Sequence, residues 1–115
     1  VLLEGCADPF SHKVVRASMG AVFRTPVVQT TWAEVKDKMQ QAGIPVAVTA
    51  LSDRAQDIRN AQLSKMAVVI GSEGQGVRQE ILDSAQAELI IPMQTHCESL
   101  NAAIAAAIVM WQMKK

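Results

Sequence analysis

Aromatic residues are scarce in this chain of 115 residues, which has two Phe, two Trp and no Tyr. Neither Trp32 nor Trp111 has the neighbouring aromatic residues expected of a platform for stacked nucleobases. Net charge is also absent, because eleven basic side chains balance eleven acidic ones. The composition therefore gives no support for tight, nonspecific binding to nucleic acids or membranes, although a local basic surface is compatible with it.

Cysteine is equally scarce. Two cysteines, Cys6 and Cys97, are too few for a disulfide framework, and they lack the spacing of metal ligands. We therefore expect free thiols in a cytoplasmic protein, with a single disulfide as the alternative. We interpret Cys97 as a small thiol packed in the protein. His12 and His96 lie too far apart in sequence to argue for a metal site. The most apolar stretch, residues 102–110, has about half of the roughly 20 residues that a membrane span requires. No signal peptide is recognisable, and we expect neither metal nor membrane partners.

Short apolar runs predict the strands of one domain whose residues are half apolar. The runs at residues 46–48, 67–70 and 89–91 have the length and composition of buried strands. Residues 1–3 resemble the end of a further buried strand. Residues 50–65 are more polar, and we interpret them as a loop with one short strand or helix.

Capping residues predict helices between these runs. Ser11 is a candidate N-cap for a helix that ends near Gly20, and Thr31 with Glu34 forms a capping-box pattern for a helix that ends at Gly43. Further helices are predicted over residues 77–84 and residues 100–111, the latter apolar on every face and so packed against its own sheet, a partner chain, or both. The alternation predicts an α/β fold with a mostly parallel sheet and helices on both faces.

The most informative segment is the glycine-rich loop after the run at residues 67–70. Gly71, Gly74 and Gly76 have neither the Lys-Ser/Thr ending of a phosphate-binding loop nor the G-x-G-x-x-G spacing of a dinucleotide loop. A plain structural turn is an equal alternative. Glu73 favours a ligand site, because a carboxylate repels phosphate but accepts hydrogen bonds from ribose hydroxyls or an amine. Ser99 and Asn101 either cap the last helix or face the same pocket.

Three ordered motifs resemble the SpoU/TrmH family. They are Gly71-Ser72-Glu73-Gly74-x-Gly76, then Ile91-Pro92-Met93, then Ser99-Leu100-Asn101 followed by Ala102-Ala103, and residues 13–21 resemble the family's preceding segment. The resemblance implies a SPOUT-class enzyme with a C-terminal trefoil knot, working as a homodimer. Such enzymes transfer a methyl group from S-adenosylmethionine to a ribose 2′-hydroxyl of rRNA or tRNA.

The resemblance also implies roles for individual residues. The implied cofactor-binding residues are Gly71, Glu73, Gly76, Ile91, Met93, Ser99 and Leu100, with Thr49, Ala50 and Leu51 walling the adenine side. Asn101 and Ser99 would orient the reacting groups, and Glu73 would polarise or accept a proton. Lys13 and Arg16 lie within one helical turn of each other; RNA contact and an ordinary solvated face are equal alternatives for them.

One departure from the family concerns its first motif, Asn-x-Gly-x-x-x-Arg, which does not occur in these residues. The arginine of that motif is assigned to RNA binding and to activation of the 2′-hydroxyl, and neither Arg16 nor Arg24 fits the pattern. We therefore expect residues 1–115 to be a SpoU-type domain without its first-motif segment, which would lie upstream, and to be inactive alone. The alternatives are a non-catalytic cofactor-binding or RNA-binding dimerisation module, and a generic flavodoxin-like protein.

Overall fold

The computed structural model describes residues 1–72, 74–97 and 100–114. The chain divides into two compact units, Val1–Lys38 and Met39–Lys115, each with its own internal contacts. The boundary between them falls within helix α2 (Trp32–Ala42).

Helix α1 (His12–Ala17) forms where its capping residue predicts it. The Ser11 hydroxyl accepts a hydrogen bond from the Val14 backbone N–H at 3.3 Å, which satisfies one of the free donors at the helix start. Gly20 has φ +82°, a left-handed conformation that glycine adopts without steric cost, and the chain then enters a 3-10 turn (Ala21–Phe23). The predicted helix is confirmed.

The predicted buried strand at residues 1–3 is wrong. Leu2 forms an isolated parallel bridge with Gln29, in which the Leu2 N–H donates to Val28 O at 2.7 Å and Leu2 O accepts from the Thr30 N–H at 3.0 Å. Val1 is 74% exposed. The three apolar residues therefore form one isolated bridge and not a β-ladder. Among the described residues of this unit, no other backbone pairing extends the bridge.

The predicted capping box of α2 is formed on one side. The Thr31 hydroxyl accepts from the Glu34 N–H at 3.3 Å, as the pattern requires. The Glu34 carboxylate instead accepts from the Thr30 hydroxyl. Gly43, at φ +68°, follows the last residue of the helix, so both predicted ends are confirmed.

The second unit contains a four-stranded parallel sheet. Its strands are β1 (Val46–Thr49), β2 (Gln56–Asp57), β3 (Ala67–Val69) and β4 (Ala87–Ile90), in the order β2-β4-β1-β3. In the register of the central pairings, Ala47 lies opposite Ala87 on one side and Val68 on the other. Two helices follow the later strands, α3 (Gln79–Ser84) and α4 (Ala102–Met113). The predicted α/β class and parallel sheet are confirmed.

Both faces of the sheet are covered at its centre. Ala47 and Val48 are consecutive in β1, so their side chains point to opposite faces, and each is 0% exposed. The core cluster contains Ala47 together with Ile58, Leu63, Leu89 and Val109. The segment at residues 50–65 contributes β2, a 3-10 turn (Ile58–Asn60) and two of these core residues, which its polar composition concealed.

Helix α4 is only partly buried within this chain. Val109 is 2% exposed and belongs to the core cluster, whereas Ile104, Ile108 and Trp111 are 53%, 36% and 74% exposed. The sequence predicted that this helix packs against its own sheet, against a partner chain, or both. The side that carries Val109 packs against the core of its own chain, and the side that carries Ile104, Ile108 and Trp111 is not covered by it. In the part of the chain that the structure describes, no helix is long and apolar enough to cross a membrane.

Candidate functional site

A cleft of about 690 Å³ lies where β1, β3 and β4 end. Because the strands are parallel, their carboxyl ends meet at one edge of the sheet, where the loops that follow them converge. The cleft is lined by residues 49–52, residues 70–72 and 74–77, residues 88–91 and 93, and by Leu82, Leu100, Ala102 and Ala105. Its volume is within the range typical of small-molecule sites, about 300–1,000 Å³.

The glycine-rich wall of the cleft is a closed turn. The Gly76 N–H donates to Ser72 O at 2.9 Å, and Gly74 and Gly76 have φ values of +89° and +69°. A Cβ on Gly71 would lie 2.8 Å from Gly76 Cα and closer still to the Gly76 carbonyl carbon and Val77 N. Gly71 is therefore required for close packing of the backbone, while Gly74 and Gly76 are required by their dihedral angles.

The cleft is predominantly apolar, with a few polar groups in its walls. Glu88, in β4, carries the one charge among the described lining residues, and its carboxylate lies 3.5 Å from Arg54 Nε. The Arg54 side chain is 87% exposed, so water screens this pair strongly. The Ser52 hydroxyl is buried and has no hydrogen-bond partner among the described residues. The Thr49 hydroxyl donates to Val69 O at 3.4 Å, which connects β1 to β3 beside the cleft.

The structure brings together most of the residues that the sequence proposed for cofactor binding. Those that line the cleft are Thr49, Ala50, Leu51, Gly71, Gly76, Ile91, Met93 and Leu100. Glu73 and Ser99 lie outside the described residues. Three loops that are separated by up to fifty residues in sequence therefore contribute to a single cleft.

Asn101 has a clear local role at the start of α4. Its side-chain Oδ1 accepts hydrogen bonds from the backbone N–H groups of Ala103 at 2.9 Å and Ile104 at 3.3 Å. This is the capping alternative that the sequence left open, and Asn101 is not among the residues that line the cleft. Capping uses Oδ1 and leaves the Nδ2 amide as a donor.

The remaining candidates lie on exposed surfaces. Lys13 and Arg16 are exposed on α1, in the first unit. Cys6 and Cys97 are free and exposed, so the expectation of free thiols is confirmed, while the interpretation of Cys97 as a packed thiol is wrong. The chain after β4 turns at Cys97, whose N–H donates to Gln94 O, and this places the thiol at the surface.

Sequence reasoning assigned no role to four polar residues that line the cleft: Ser52, Ser72, Gln75 and Glu88. A signal existed for Glu88, because a carboxylate inside the apolar run Ala87-Glu88-Leu89-Ile90 is unusual for a strand that is covered on both faces. No local pattern distinguishes Ser52 from the other polar residues of the segment at residues 50–65.

Comparison with known proteins identifies the family. The model of the SpoU rRNA Methylase family matches residues 1–111. The chain belongs to this family. Among the curated relatives of this SpoU-family chain, the 23S rRNA (guanosine(2553)-2′-O)-methyltransferase RlmP of Bacillus subtilis is 34% identical over 114 residues, which cover 99% of this chain and 46% of that protein. The SpoU chain thus spans about half the length of the curated relatives that it matches.

Solved structures of the family have the same fold. An RNA 2′-O ribose methyltransferase matches with a TM-score of 0.86 and 32% identity, covering 99% of this chain and 44% of that one. The AdoMet-bound rRNA methyltransferase of Sinorhizobium meliloti matches with a TM-score of 0.85 and 34% identity, covering 98% of this chain and 44% of that one. The parallel sheet and its helices are therefore those of a SpoU methyltransferase and not of a generic flavodoxin-like protein.

Proposed function

We propose that the cleft binds S-adenosylmethionine and that the chain serves as the cofactor-binding part of a cytoplasmic RNA ribose 2′-O-methyltransferase acting on rRNA or tRNA. The observation that carries the proposal is the convergence of eight candidate cofactor residues on one cleft at the carboxyl ends of β1, β3 and β4. The relatives named above support it, since one is a 2′-O-methyltransferase and another is AdoMet-bound.

The residues of the cleft fit such a cofactor. S-adenosylmethionine supplies a methyl group on a sulfonium centre, which is already activated for transfer. Glu88 gives the described lining a negative charge, which favours a cationic ligand over a phosphate. The orphaned Ser52 hydroxyl is a donor and acceptor that lacks a partner within the protein, and a polar ligand edge would satisfy it. The apolar walls suit an adenine ring.

We propose separate roles for the residues that hold the cofactor, those that act on the acceptor hydroxyl and those that contact RNA. Backbone groups of the Gly71–Gly76 turn and of Ile91, Met93 and Leu100 hold the adenosine, and Thr49, Ala50 and Leu51 wall its adenine side. Asn101 and Ser99 orient the acceptor hydroxyl, with Asn101 using the amide that capping leaves available. Glu73 polarises or accepts the proton. Lys13 and Arg16 contact RNA phosphates through their charged ammonium and guanidinium groups.

The proposal for residues 1–115 alone is cofactor binding without methyl transfer. The pattern Asn-x-Gly-x-x-x-Arg, whose arginine acts on the acceptor, is absent from these residues. The same absence favours a second candidate, a non-catalytic cofactor-binding or RNA-binding dimerisation module. If a longer protein that contains this chain transfers methyl groups to RNA, the result supports the methyltransferase. If that protein binds the cofactor but transfers no methyl group, the result supports the non-catalytic module.

Titration calorimetry tests the cofactor site directly. The chain should bind both S-adenosylmethionine and its neutral thioether product, S-adenosylhomocysteine. Glu88→Gln should weaken binding of S-adenosylmethionine more than binding of S-adenosylhomocysteine, because the two ligands share the charges of the amino-acid group and only the first carries a positive charge on sulfur. Ser52→Ala should weaken both ligands equally.

Glu80→Gln provides the matched control, since Glu80 is exposed on α3 and does not line the cleft. It should leave both affinities unchanged. No detectable heat of binding at millimolar cofactor would contradict the proposed site. Equal losses for the two ligands in Glu88→Gln would contradict the electrostatic role of that carboxylate.

The exposed side of α4 supports a homodimer. Ile104, Ile108 and Trp111 follow one another at spacings of four and three residues, so they share one helix face, and all three are exposed within this chain. We propose that a second copy covers this face. Sedimentation should find a dimer that Ile104→Glu dissociates, whereas a monomeric wild-type chain at high concentration would contradict the proposal.

We also propose the trefoil knot of the family for the C-terminal segment. The position of β4 supports it, since the last strand lies between β1 and β2, and α4 contacts the 3-10 turn that follows β2. Pulling on the two ends in a force experiment should leave the knotted chain shorter than an open chain of 115 residues at roughly 3.4 Å each. Extension to the full open length would rule the knot out.

A further inference from the structure

Two phenylalanine side chains form an exposed stacked pair in the first unit. Phe10 and Phe23 are 60% and 67% exposed, their ring centroids are 6.2 Å apart, and their planes are inclined by 25°. The separation lies within the range of favourable aromatic pairs, about 4.5–7 Å. The pair is therefore a preformed aromatic surface that the core does not use, on a chain with only four aromatic residues.

The local fold brings these two rings together although twelve residues lie between them in the sequence. Phe10 precedes the Ser11 cap of α1, and Phe23 ends the 3-10 turn that follows the helix. The left-handed Gly20 reverses the chain, and the Phe23 N–H donates to Gly20 O at 3.1 Å. The Phe10 N–H donates to the Asp8 carboxylate at 2.9 Å, which restrains the residue at the other end. Hydrogen-bonded turns thus position the backbone of both phenylalanines.

The segment that carries the rings is basic, although the whole chain is neutral. Residues 9–33 contain Lys13, Arg16 and Arg24 and no acidic residue. Within the described part of the chain, none of these three cations is in an ion pair. Asp8 lies just before the segment, and its carboxylate accepts a hydrogen bond from the Phe10 N–H. The three cations outnumber this one carboxylate, so the segment that carries the aromatic pair has a net positive charge that favours a polyanion.

We propose that the Phe10–Phe23 pair stacks a nucleobase of single-stranded RNA, while Lys13, Arg16 and Arg24 contact the phosphates on either side. Aromatic rings combined with a basic surface are the means by which proteins hold unpaired bases, whose faces stack irrespective of sequence. The choice of RNA as the polyanion rests on the proposed function. The evidence for an exposed aromatic and basic surface is independent of it and consists of the ring contact, the exposures and the charges given above.

Fluorescence anisotropy with a labelled single-stranded RNA of about ten nucleotides tests the stacking. Phe10→Leu and Phe23→Leu keep apolar side chains but remove the rings, and each should weaken binding at least fivefold, since stacking contributes roughly 1–3 kcal/mol per base and each 1.4 kcal/mol is about tenfold. The salt dependence of binding should stay unchanged in these variants. Lys13→Gln should instead reduce its slope by about 0.7, the value for one phosphate contact on a single strand.

Matched controls separate stacking from general surface effects. Val28 is 55% exposed in the same unit, and Val28→Ala should bind the RNA as the wild-type chain does. An oligonucleotide of the same length without bases should bind more weakly than the RNA to the wild-type chain, and equally to wild type and Phe10→Leu. Circular dichroism verifies that each variant is folded.

Three results would overturn the proposal. These are unchanged RNA affinity in both phenylalanine variants, equal binding of the abasic oligonucleotide and the RNA, or a change of oligomeric state in Phe10→Leu at unchanged RNA affinity, which would assign the pair to contact between copies. Calorimetry with S-adenosylmethionine keeps this test separate from that of the cofactor site. Base-dependent RNA binding without cofactor binding would support the stacking site while contradicting the methyltransferase.

Discussion

Gly71→Ala is the sharpest test of the glycine-rich turn, because the collision it creates is with backbone and not with a flexible side chain. The new Cβ would lie 2.8 Å from Gly76 Cα, whereas non-bonded carbon atoms pack at about 3.5–4.0 Å. Gly76 must therefore move by at least about 0.7 Å, and the closer contacts with its carbonyl carbon and with Val77 N require more. The turn has to open.

Opening of the turn should lower both the unfolding free energy of the chain and its affinity for the cofactor. The hydrogen bond from the Gly76 N–H to Ser72 O closes the turn, and its loss costs about 1 kcal/mol. Relief of the overlap raises the total loss of unfolding free energy to about 1–3 kcal/mol. Because Gly71 and Gly76 both line the cleft, we expect the dissociation constant of S-adenosylmethionine to rise by about 10–100-fold.

Substitutions at two other glycines distinguish the effect of the steric collision from the effect of backbone strain. Gly74→Ala meets no atom within 4 Å but has φ +89°, so it adds strain of about 1–2 kcal/mol in the same turn without a collision. Gly43→Ala adds comparable strain at φ +68° outside the cleft. Calorimetry and urea unfolding of the three variants give the comparison. The reasoning is refuted if Gly71→Ala binds the cofactor within threefold of wild type and loses no more stability than Gly43→Ala.

Further predictions concern the core, the caps and pH. Val109→Ala should lower the unfolding free energy by about 2–3 kcal/mol in urea, because two methyl groups leave a packed core; a loss under about 1 kcal/mol would contradict this packing. Asn101→Ala should lower it by about 0.5–2 kcal/mol and Asn101→Asp should not, since an aspartate also caps; equal losses would argue against capping. The Arg59 side-chain hydrogen bond, followed by the Arg59 backbone hydrogen bond, lowers the pKa of Asp57 below its ordinary 3.8. The stabilisation is thus complete above the ordinary pKa and disappears as pH falls through the lower, folded value, so Asp57→Asn should be less stable than wild type at neutral pH and equal to it in acid.

The helices and strands β1 and β3 were predictable because their signals are local. Ser11, Thr31 and Gly43 act within one turn of their own helices, and β1 and β3 are short runs of strand-forming residues. The predicted burial is confirmed for β1, whereas β3 lies at the edge of the sheet and is only half-buried. Residues 1–3 mark the limit of this reasoning. Their composition is that of a strand, but a strand also needs a partner of matching length, and Leu2 finds a single bridge.

The candidate site was predictable as a set of loops but not as a surface with defined chemistry. Family motifs selected the loops after β3 and β4, and parallel strands imply that these loops meet. Glu88 enters the cleft through the pairing of β4 with β1, and Ser52 through the return of the chain after β1. The charge within an apolar run marks Glu88 locally as unusual, but neither placement is encoded by a local pattern. The capping role of Asn101 likewise follows from where α4 begins.

The family, the α/β class, the parallel sheet and the order of the binding loops follow from the amino-acid sequence, because periodicity, capping and motif spacing are properties of neighbouring residues. Which further residues share a surface depends on the folded chain. It buried Ile58 and Leu63 from a polar segment, placed Glu88 in the cleft and brought Phe10 against Phe23. These juxtapositions depend on strand order and on turn geometry, which no single motif or apolar run specifies.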